Sequence, residues 1–529
     1  MIKRLSKFHS EYAKSNNGKS PITASTETES ALITSNLAAN LSELRRLFQG
    51  SVDVIFREFN IGFDSKNRAL LIYINGLTDP SMTNYTILQP LMVDLAPRLP
   101  QDSVQGNLLS LIRDYALPNG NVQESNQIQD IVGGILAGCT ALLLDGFNVA
   151  LLIETKGGAA RDVTEPDTEA VIRGPREGFT ETIGVNISLL RRKIKDENLC
   201  IEKLSLGKRT KTLIYITYLK GVVHEELVGE VKARLQRIDI EGILESGYVE
   251  QLIEDAPFSI FPTVGNSEKP DVLAAKLLEG RVGILVDGTP FVLTVPRLLV
   301  ESFQNAEDYY TRPYYSTLVR WLRILAFFIT ILLPAIYVGV ESYHQELLPT
   351  PLLLNMAASK EGVPFPAFVE VLIMGTIFEI MREAGVRMPR PVGQAVSIVG
   401  ALVLGEAAVR AGVVSNPMVI VVALTAISGF VIAPLGDALP LLRVFFSLCS
   451  AGLGLFGILM GMFVVFIHLA KLRSFGVPYM APLAPGNREG LKDVSIKAPI
   501  WSLNTRPNLL TWNSLRQRVS KPSPGKKRG

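Results

Sequence analysis

Three carboxylates in the second half of this 529-residue chain are the residues best placed to do chemistry. Glu370, Glu379 and Glu406 all fall inside stretches otherwise apolar enough for a bilayer. An ionised group at that depth costs about 2.5 to 3.5 kcal/mol on insertion scales and must face a cavity or a partner. Glu370 has no basic residue three or four positions away. It is the candidate pore-lining group, with an interhelical hydrogen bond as the alternative account. Glu379 follows nine residues later, about 900° around a helix, so the two carboxylates point to opposite faces. Arg382 at i+3 offers Glu379 an ion pair, and Arg410 at i+4 offers Glu406 one in the favoured order. A second concentration of charge, Arg173, Gly174, Pro175, Arg176 and Glu177, lies in the first half of the chain. By residue type it is a Gly-Pro turn leading to a capped helix.

Enzyme chemistry finds no support beside these groups. The chain has no G-x-x-x-x-G-K-[ST] phosphate loop, no H-E-x-x-H and no G-x-S-x-G. GLGLFG, Gly452 to Gly457, matches the dinucleotide fingerprint by letter but lies in an apolar run, without the strand and later acidic residue that the chemistry needs. The spacing of Gly457 and Gly461 reads instead as G-x-x-x-G, which lets apolar helices approach closely. His9, His224, His344 and His468 are dispersed, and Cys139, Cys200 and Cys449 are odd in number and far apart, so no metal site, cofactor site or disulfide framework is expected. A net charge of +3 gives no nucleic-acid footprint. The charge is uneven, however: from Arg473 onward eleven Lys or Arg face only Glu489 and Asp493.

The elements that must carry these residues divide near position 315. Before it, apolar runs are short; after it, they reach membrane length. The expected organisation is a disordered polar stretch over 1–40, a soluble subdomain over 41–155, a linker over 156–182, and a second subdomain over 183–315. A transmembrane domain over 316–472 and a basic tail over 473–529 follow. Apolar segments fall at about 321–341, 363–381, 392–411, 416–434 and 444–470. Arg320, Arg323, Arg382, Arg387, Arg390 and the tail mark cytoplasmic ends, which puts both termini in the cytoplasm. No apolar run follows the basic start of the chain, so no signal peptide is expected. Equal sidedness demands an even number of crossings. Five apolar segments are visible, and 392–411, rich in Gly and Ala, is the one expected to re-enter. The last stretch, Leu439 to Ala470, is too long for one upright span and reads as a tilted helix or a span preceded by an interfacial segment.

The soluble half repeats itself. LIYI at Leu71 recurs at Leu213, Gly138 matches Gly280, and Asp145-Gly146 matches Asp287-Gly288, all at an offset of 142. Each copy ends in ALLLDGFNVALLIET or VGILVDGTPFVLTVP, where Asp-Gly between apolar runs predicts a hairpin with a type I′ turn. The fold expected is α/β (α+β): a soluble N-terminal half of two similar subdomains, then an all-α polytopic transmembrane domain.

Longer blocks carry a family resemblance. RGPREGFTE with NISLLRRKI behind it, EGRVGILVDGTPFVLTVP from Glu279, EDYY at Glu307, VPFP at Val363 and REAGVRMPRPVGQAVSIVGALVLGEAAV from Arg382 together resemble the A subunits of GerA-type spore germinant receptors. The resemblance covers about residues 50 to 480. It implies an integral protein of the spore inner membrane acting with a permease-like B subunit and a lipoprotein C subunit. It further implies a homo-oligomer that forms an ion channel in the lipid bilayer, triggered by nutrients and starting germination. A non-channel scaffold, a general germination amplifier and, less readily, a secondary transporter are the rival readings. A transporter is disfavoured because the repeat lies in the soluble half and not among the apolar segments.

Overall fold

The computed structural model describes residues 32–62, 67–95, 108–157, 165–166, 169, 171–387, 405–486, 490–502 and 506. The chain forms two compact units: Met1–Gly158 with Lys195–Glu197, and Ala159–Ile194 with Asn198–Gly529.

In the first unit, α1 (Leu37–Leu47) precedes β1 (Val54–Asn60), β2 (Arg68–Ile74), β3 (Val122–Ser125), α2 (Ile128–Leu136), β4 (Cys139–Leu144) and β5 (Ala150–Glu154). The sheet order is β1-β2-β4-β5-β3, with every pair antiparallel. Alternate residues of the central strands feed two cores, as a period of two requires. Leu70, Ile72 and Leu143 meet α1 and α2 on one face, whereas Leu71, Leu142 and Leu144 meet the helical turns around Ile87, Leu91 and Ile112 on the other. The stretch expected to be disordered, 1–40, thus ends inside an ordered element: Ile33 and Leu37 are buried in this core, and residues 1–31 lie outside the described ones.

The second unit repeats the arrangement with α3 (Ile183–Lys193), β6 (Leu199–Leu206), β7 (Thr212–Leu219), α4 (Glu225–Gln236), α5 (Ser246–Ile253), β8 (Gly265–Ser267), α6 (Pro270–Leu278), β9 (Val282–Val286) and β10 (Val292–Val295). Its sheet order, β6-β7-β9-β10-β8, is the first order over again. The α+β fold of two similar halves read from the sequence is therefore the fold observed. The Asp-Gly turns differ from expectation. Each hairpin closes through five residues, 145–149 and 287–291, and neither aspartate has the positive φ that a type I′ turn needs. Each aspartate instead caps the first helix of its unit: Asp145 Oδ1 accepts from the Leu37 amide at 3.2 Å, and Asp287 Oδ1 from the Ile183 amide at 3.3 Å. The adjoining glycine amides donate to Ser35 and Glu181. The helices are themselves a repeat. Asn40 and Asn186 each bond both the amide and the carbonyl of a threonine six residues earlier, Thr34 and Thr180.

The same second unit continues into α7 (Pro313–Tyr343), α8 (Thr350–Lys360), α9 (Ala367–Arg387), α10 (Asn416–Phe430) and α11 (Ala438–Lys471). By length and composition α7 and α11 qualify to cross a membrane. The 31 residues of α7 reach about 46 Å, beyond a hydrocarbon core of about 30 Å. The single-span reading of α11 does not survive its geometry. Gly454 sits at φ 61°, ψ −143°, backbone that glycine alone enters readily, and the chain reverses there. A Cβ on Gly457 would meet the Cys449 carbonyl oxygen at 2.0 Å, and one on Gly461 the Phe446 ring at 3.2 Å. In a straight helix those pairs stand about 12 and about 22 Å apart. The stretch expected to be one tilted or interfacially preceded span is a helical hairpin, and Gly457 and Gly461 are where its arms touch. Its tip lies against the end of α7, where Tyr343 donates to the Ala451 carbonyl. Both its ends return to the second sheet, with Leu439, Leu442, Leu469 and Leu472 packed near Phe261, Leu299 and Tyr479. Most of the segment expected to re-enter, 392–411, lies outside the described residues; its described part is helical over 405–410.

Candidate functional site

Charge is buried at both ends of the helical bundle. At the end facing the second sheet, Arg297 is 6% exposed and follows directly on β10 and Pro296. Its guanidinium donates to the Val264 carbonyl at 3.2 Å and to the Pro434 carbonyl at 2.9 Å, in the turn between α10 and α11. Its amide donates to Ser474 Oγ, in the short strand that leaves α11, and Ser474 donates in turn to the Thr263 carbonyl. One arginine therefore ties the sheet to both ends of the hairpin. Four residues on, Glu301 pairs with Arg281 and lies 3.3 Å from Lys276. Burial alone would lift this carboxyl, but the two cations hold it at about 2. Burial pushes the Lys276 ammonium down, with Glu301 opposing and the neighbouring Arg281 and Arg297 adding to the fall. Glu250, half-buried on α5, is pushed up to about 7 by burial, with Arg297 opposing and Glu254, Glu245 and Asp437 adding to the rise.

The start of α7 is fixed in the same manner. Asp308, 3% exposed, takes Arg320 at 3.0 Å and Arg323 at 2.8 Å; Asp493 of the tail takes Arg320 at 2.9 Å and the Tyr309 hydroxyl at 2.6 Å. The two arginines that marked a cytoplasmic end by sequence thus spend their charge on internal partners. Uncompensated burial of either would cost several kcal/mol. Gly174 of the RGPREG run, at φ +148°, lies against this junction: a Cβ there would meet the Tyr310 ring at 2.9 Å. Glu177 pairs with Lys193 at 2.8 Å and Arg176 stands 3.8 Å from Glu165, while Arg173 is exposed and Pro175 partly so.

At the far end, Glu370 in the first turn of α9 is fully buried. Its Oε2 accepts from both the amide and the hydroxyl of Ser415, each at 2.8 Å. Ser415 is the N-cap of α10, so the carboxylate also sits at the positive end of a helix dipole. Lys360 lies 3.6 Å away and also pairs with Glu341. Glu379, deeper along α9, meets Arg382 at 2.7 Å and Arg443 of α11 at 3.3 Å. Glu406 and Arg410 pair with one another on an exposed face. The three membrane-half carboxylates are thus held in three separate places, each beside a cation. Among the described residues no group of three or more His, Cys, Asp or Glu could hold a metal.

Sequence reasoning missed Arg297, Arg281, Glu301 and Asp308. Arg281 and Asp308 stood inside blocks that the sequence singled out, EGRVG and EDYY, but residue type alone does not reveal that a charge is buried.

Known proteins resemble the chain over nearly its full length. Residues 42–509 match the family model described as Bacillus/Clostridium GerA spore germination protein. Spore germination protein KA of Bacillus subtilis (strain 168) is 46% identical over 94% of this chain and 91% of that protein. Spore germination protein B1 of the same strain is 39% identical over 90% and 97%, and GerLA of Bacillus cereus 36% identical over 90% and 96%. A crystal structure of the N-terminal domain of the A subunit of the Bacillus megaterium spore germinant receptor GerK3 is 37% identical, with a TM-score of 0.41, over 51% of this chain and 98% of that one.

Proposed function

Because the chain belongs to the Bacillus/Clostridium GerA family of spore germination proteins, we propose that it is the A subunit of a nutrient germinant receptor and starts germination as part of an oligomeric, ligand-gated ion channel. It works with a permease-like B subunit and a lipoprotein C subunit in the spore inner membrane, as several copies of itself, with both termini in the cytoplasm. The observation that carries this reading is the junction. Between β10 and α7 the chain makes two short turns, Leu299–Phe303 and Ala306–Tyr309, and buried ion pairs replace a flexible linker. A displacement of the second sheet reaches α7 and α11 directly, through Asp308 and Arg297. Sidedness is consistent with it, since α7 begins and α11 ends at the sheet. Glu370 on α9 is the group that lines or gates the path, leaving Ser415 when the path opens.

Spores lacking this chain test the reading by early potassium release across a panel of single amino acids and sugars. Loss of release for one nutrient class supports a receptor subunit and names its stimulus. Uniform slowing for all nutrients points to a scaffold or amplifier and counts against it.

A further inference from the structure

The chemistry least accounted for lies at the end of the bundle away from the sheet. Glu341 near the end of α7, Lys360 at the last position of α8 and Glu370 on α9 converge there from three helices. Lys360 Nζ donates to Glu341 Oε1 and stands 3.6 Å from Glu370 Oε1. Ser415 occupies only the other oxygen of Glu370. Glu370 Oε1 and Glu341 Oε2, both buried, have no partner in good hydrogen-bond geometry, the Tyr337 hydroxyl beside Glu341 being shared with Ser415. One ammonium therefore serves two carboxylates, and two oxygens are left under-used in a place where unmet polar atoms are costly. The cluster is short of one positive charge. It is also reachable: Glu341 and Lys360 line a cleft of about 480 Å³ with Gln345, Leu348, Met356 and Glu361. Lys360 keeps 27% of its side chain exposed, against 0% for Glu370, so its ammonium stands between the cleft and the buried carboxylate.

We propose that Glu341 and Glu370 form a binding site for a small monovalent cation, in which Lys360 is a tethered occupant that an alkali ion or a primary ammonium entering by the cleft displaces. All the ligating atoms on offer are oxygens, the two carboxylates and the Ser415 hydroxyl, which suits hard cations. Few ligands favour a monovalent ion over calcium, which takes six to eight oxygens. Lys360 itself demonstrates that a primary ammonium fits. The inference goes beyond the channel reading and does not need it, because the site binds a cation whether or not the chain conducts one. Lys360 as a mere staple between α7 and α9 makes the opposite prediction for every measurement below.

The full-length chain in detergent, at constant ionic strength, supplies the test. In the wild type, acetylation of Lys360 followed by peptide mass spectrometry is expected to accelerate at least threefold when potassium chloride replaces choline chloride, since choline has no N–H and is too bulky to bridge the carboxylates. An unchanged rate overturns the proposal. With Lys360→Met the competitor is gone, and the melting midpoint is expected to rise by several degrees in potassium, sodium or methylammonium chloride relative to choline. The three arms tell an alkali site from an ammonium site. Adding Glu370→Gln to that variant is expected to abolish the rise. A folded Lys360→Met protein indifferent to all three cations, or a rise that persists without the Glu370 charge, also overturns the proposal. Should Lys360→Met not fold, the wild-type labelling decides alone.

Discussion

Replacing Gly457 by alanine separates a helical hairpin from a straight span more sharply than any other single change. In a straight helix the substitution is favourable by roughly 0.5 to 1 kcal/mol, because glycine loses the most backbone freedom on ordering. In the hairpin the new methyl meets the Cys449 carbonyl oxygen at 2.0 Å and its carbon at 2.7 Å. Both are backbone atoms, so relief requires the two arms to part by more than an ångström along their contact. Overpacking of that kind costs about 1 to 3 kcal/mol, sometimes more. Gly452, five residues earlier in the same element, has nothing within 4 Å of its Cβ position and is the internal control. Gly452→Ala is expected to be neutral or slightly stabilising, and Gly457→Ala less stable than it by the overpacking cost of about 1 to 3 kcal/mol. At about 1.4 kcal/mol per decade that gap is a factor of about 5 to 140 in the unfolding equilibrium. Reversible denaturant unfolding of both purified variants in one detergent measures it, and a cysteine pair at 446 and 461 checks the contact by cross-linking. Equal stabilities for the two variants, with no cross-link, would refute the hairpin.

Glu250, raised to about 7, favours its protonated form in the fold; its contribution to stability is fully present below about pH 4.5 and lost as pH rises through 7. Glu250→Gln is therefore expected to stabilise the protein at pH 8 by something of the order of 2 kcal/mol and to change little at pH 4.5, read from melting midpoints at the two values. Glu301, held at about 2, works with the opposite sign, its contribution present above about pH 4.5 and lost as pH falls through 2. Glu301→Gln strands Arg281 and Lys276 and is expected to cost about 3 to 5 kcal/mol at pH 7; a loss under 1 kcal/mol by calorimetry contradicts the burial argument. Asp145→Ala and Asp287→Ala each remove a helix cap and are expected to cost about 1 kcal/mol, seen as faster amide exchange at Leu37 and at Ile183 respectively.

The fold class and the family were legible in the sequence because both rest on ordered blocks. LIYI, Gly138 with Gly280 and the paired Asp-Gly turns lie in strands and tight turns where insertions are rare, so a constant offset survives. The first helix of each unit falls outside that offset although its residues repeat. Asn40, Ser42, Arg45 and Arg46 recur as Asn186, Ser188, Arg191 and Arg192, but at an offset of 146, because the intervening loops differ in length. The signal is present in the sequence, displaced by four residues. Asp-Gly correctly announced a hairpin and misled about its turn, since the aspartate carboxylate was claimed by a helix N-terminus far away in sequence. In α11 the apolar run was legible and its fold was not: GLGLFG holds three glycines, and only the backbone distinguishes the one that reverses the chain, Gly454, from those that merely pack. The junction was least legible of all. Arg297, Asp308 and Arg320 look like ordinary surface charges until residues from 434 and from 493 are brought against them.

Ion flux into liposomes carrying the proposed receptor, this chain with B and C subunits, probes whether the second sheet drives the helical bundle, with wild type and Arg297→Ala compared at equal amounts of folded protein. Flux is expected to start on addition of the nutrient in the wild type and to fall at least tenfold in Arg297→Ala, where the sheet no longer holds the turn between α10 and α11. Nutrient-independent silence of the wild-type assembly, or equal gated flux from both, would contradict it.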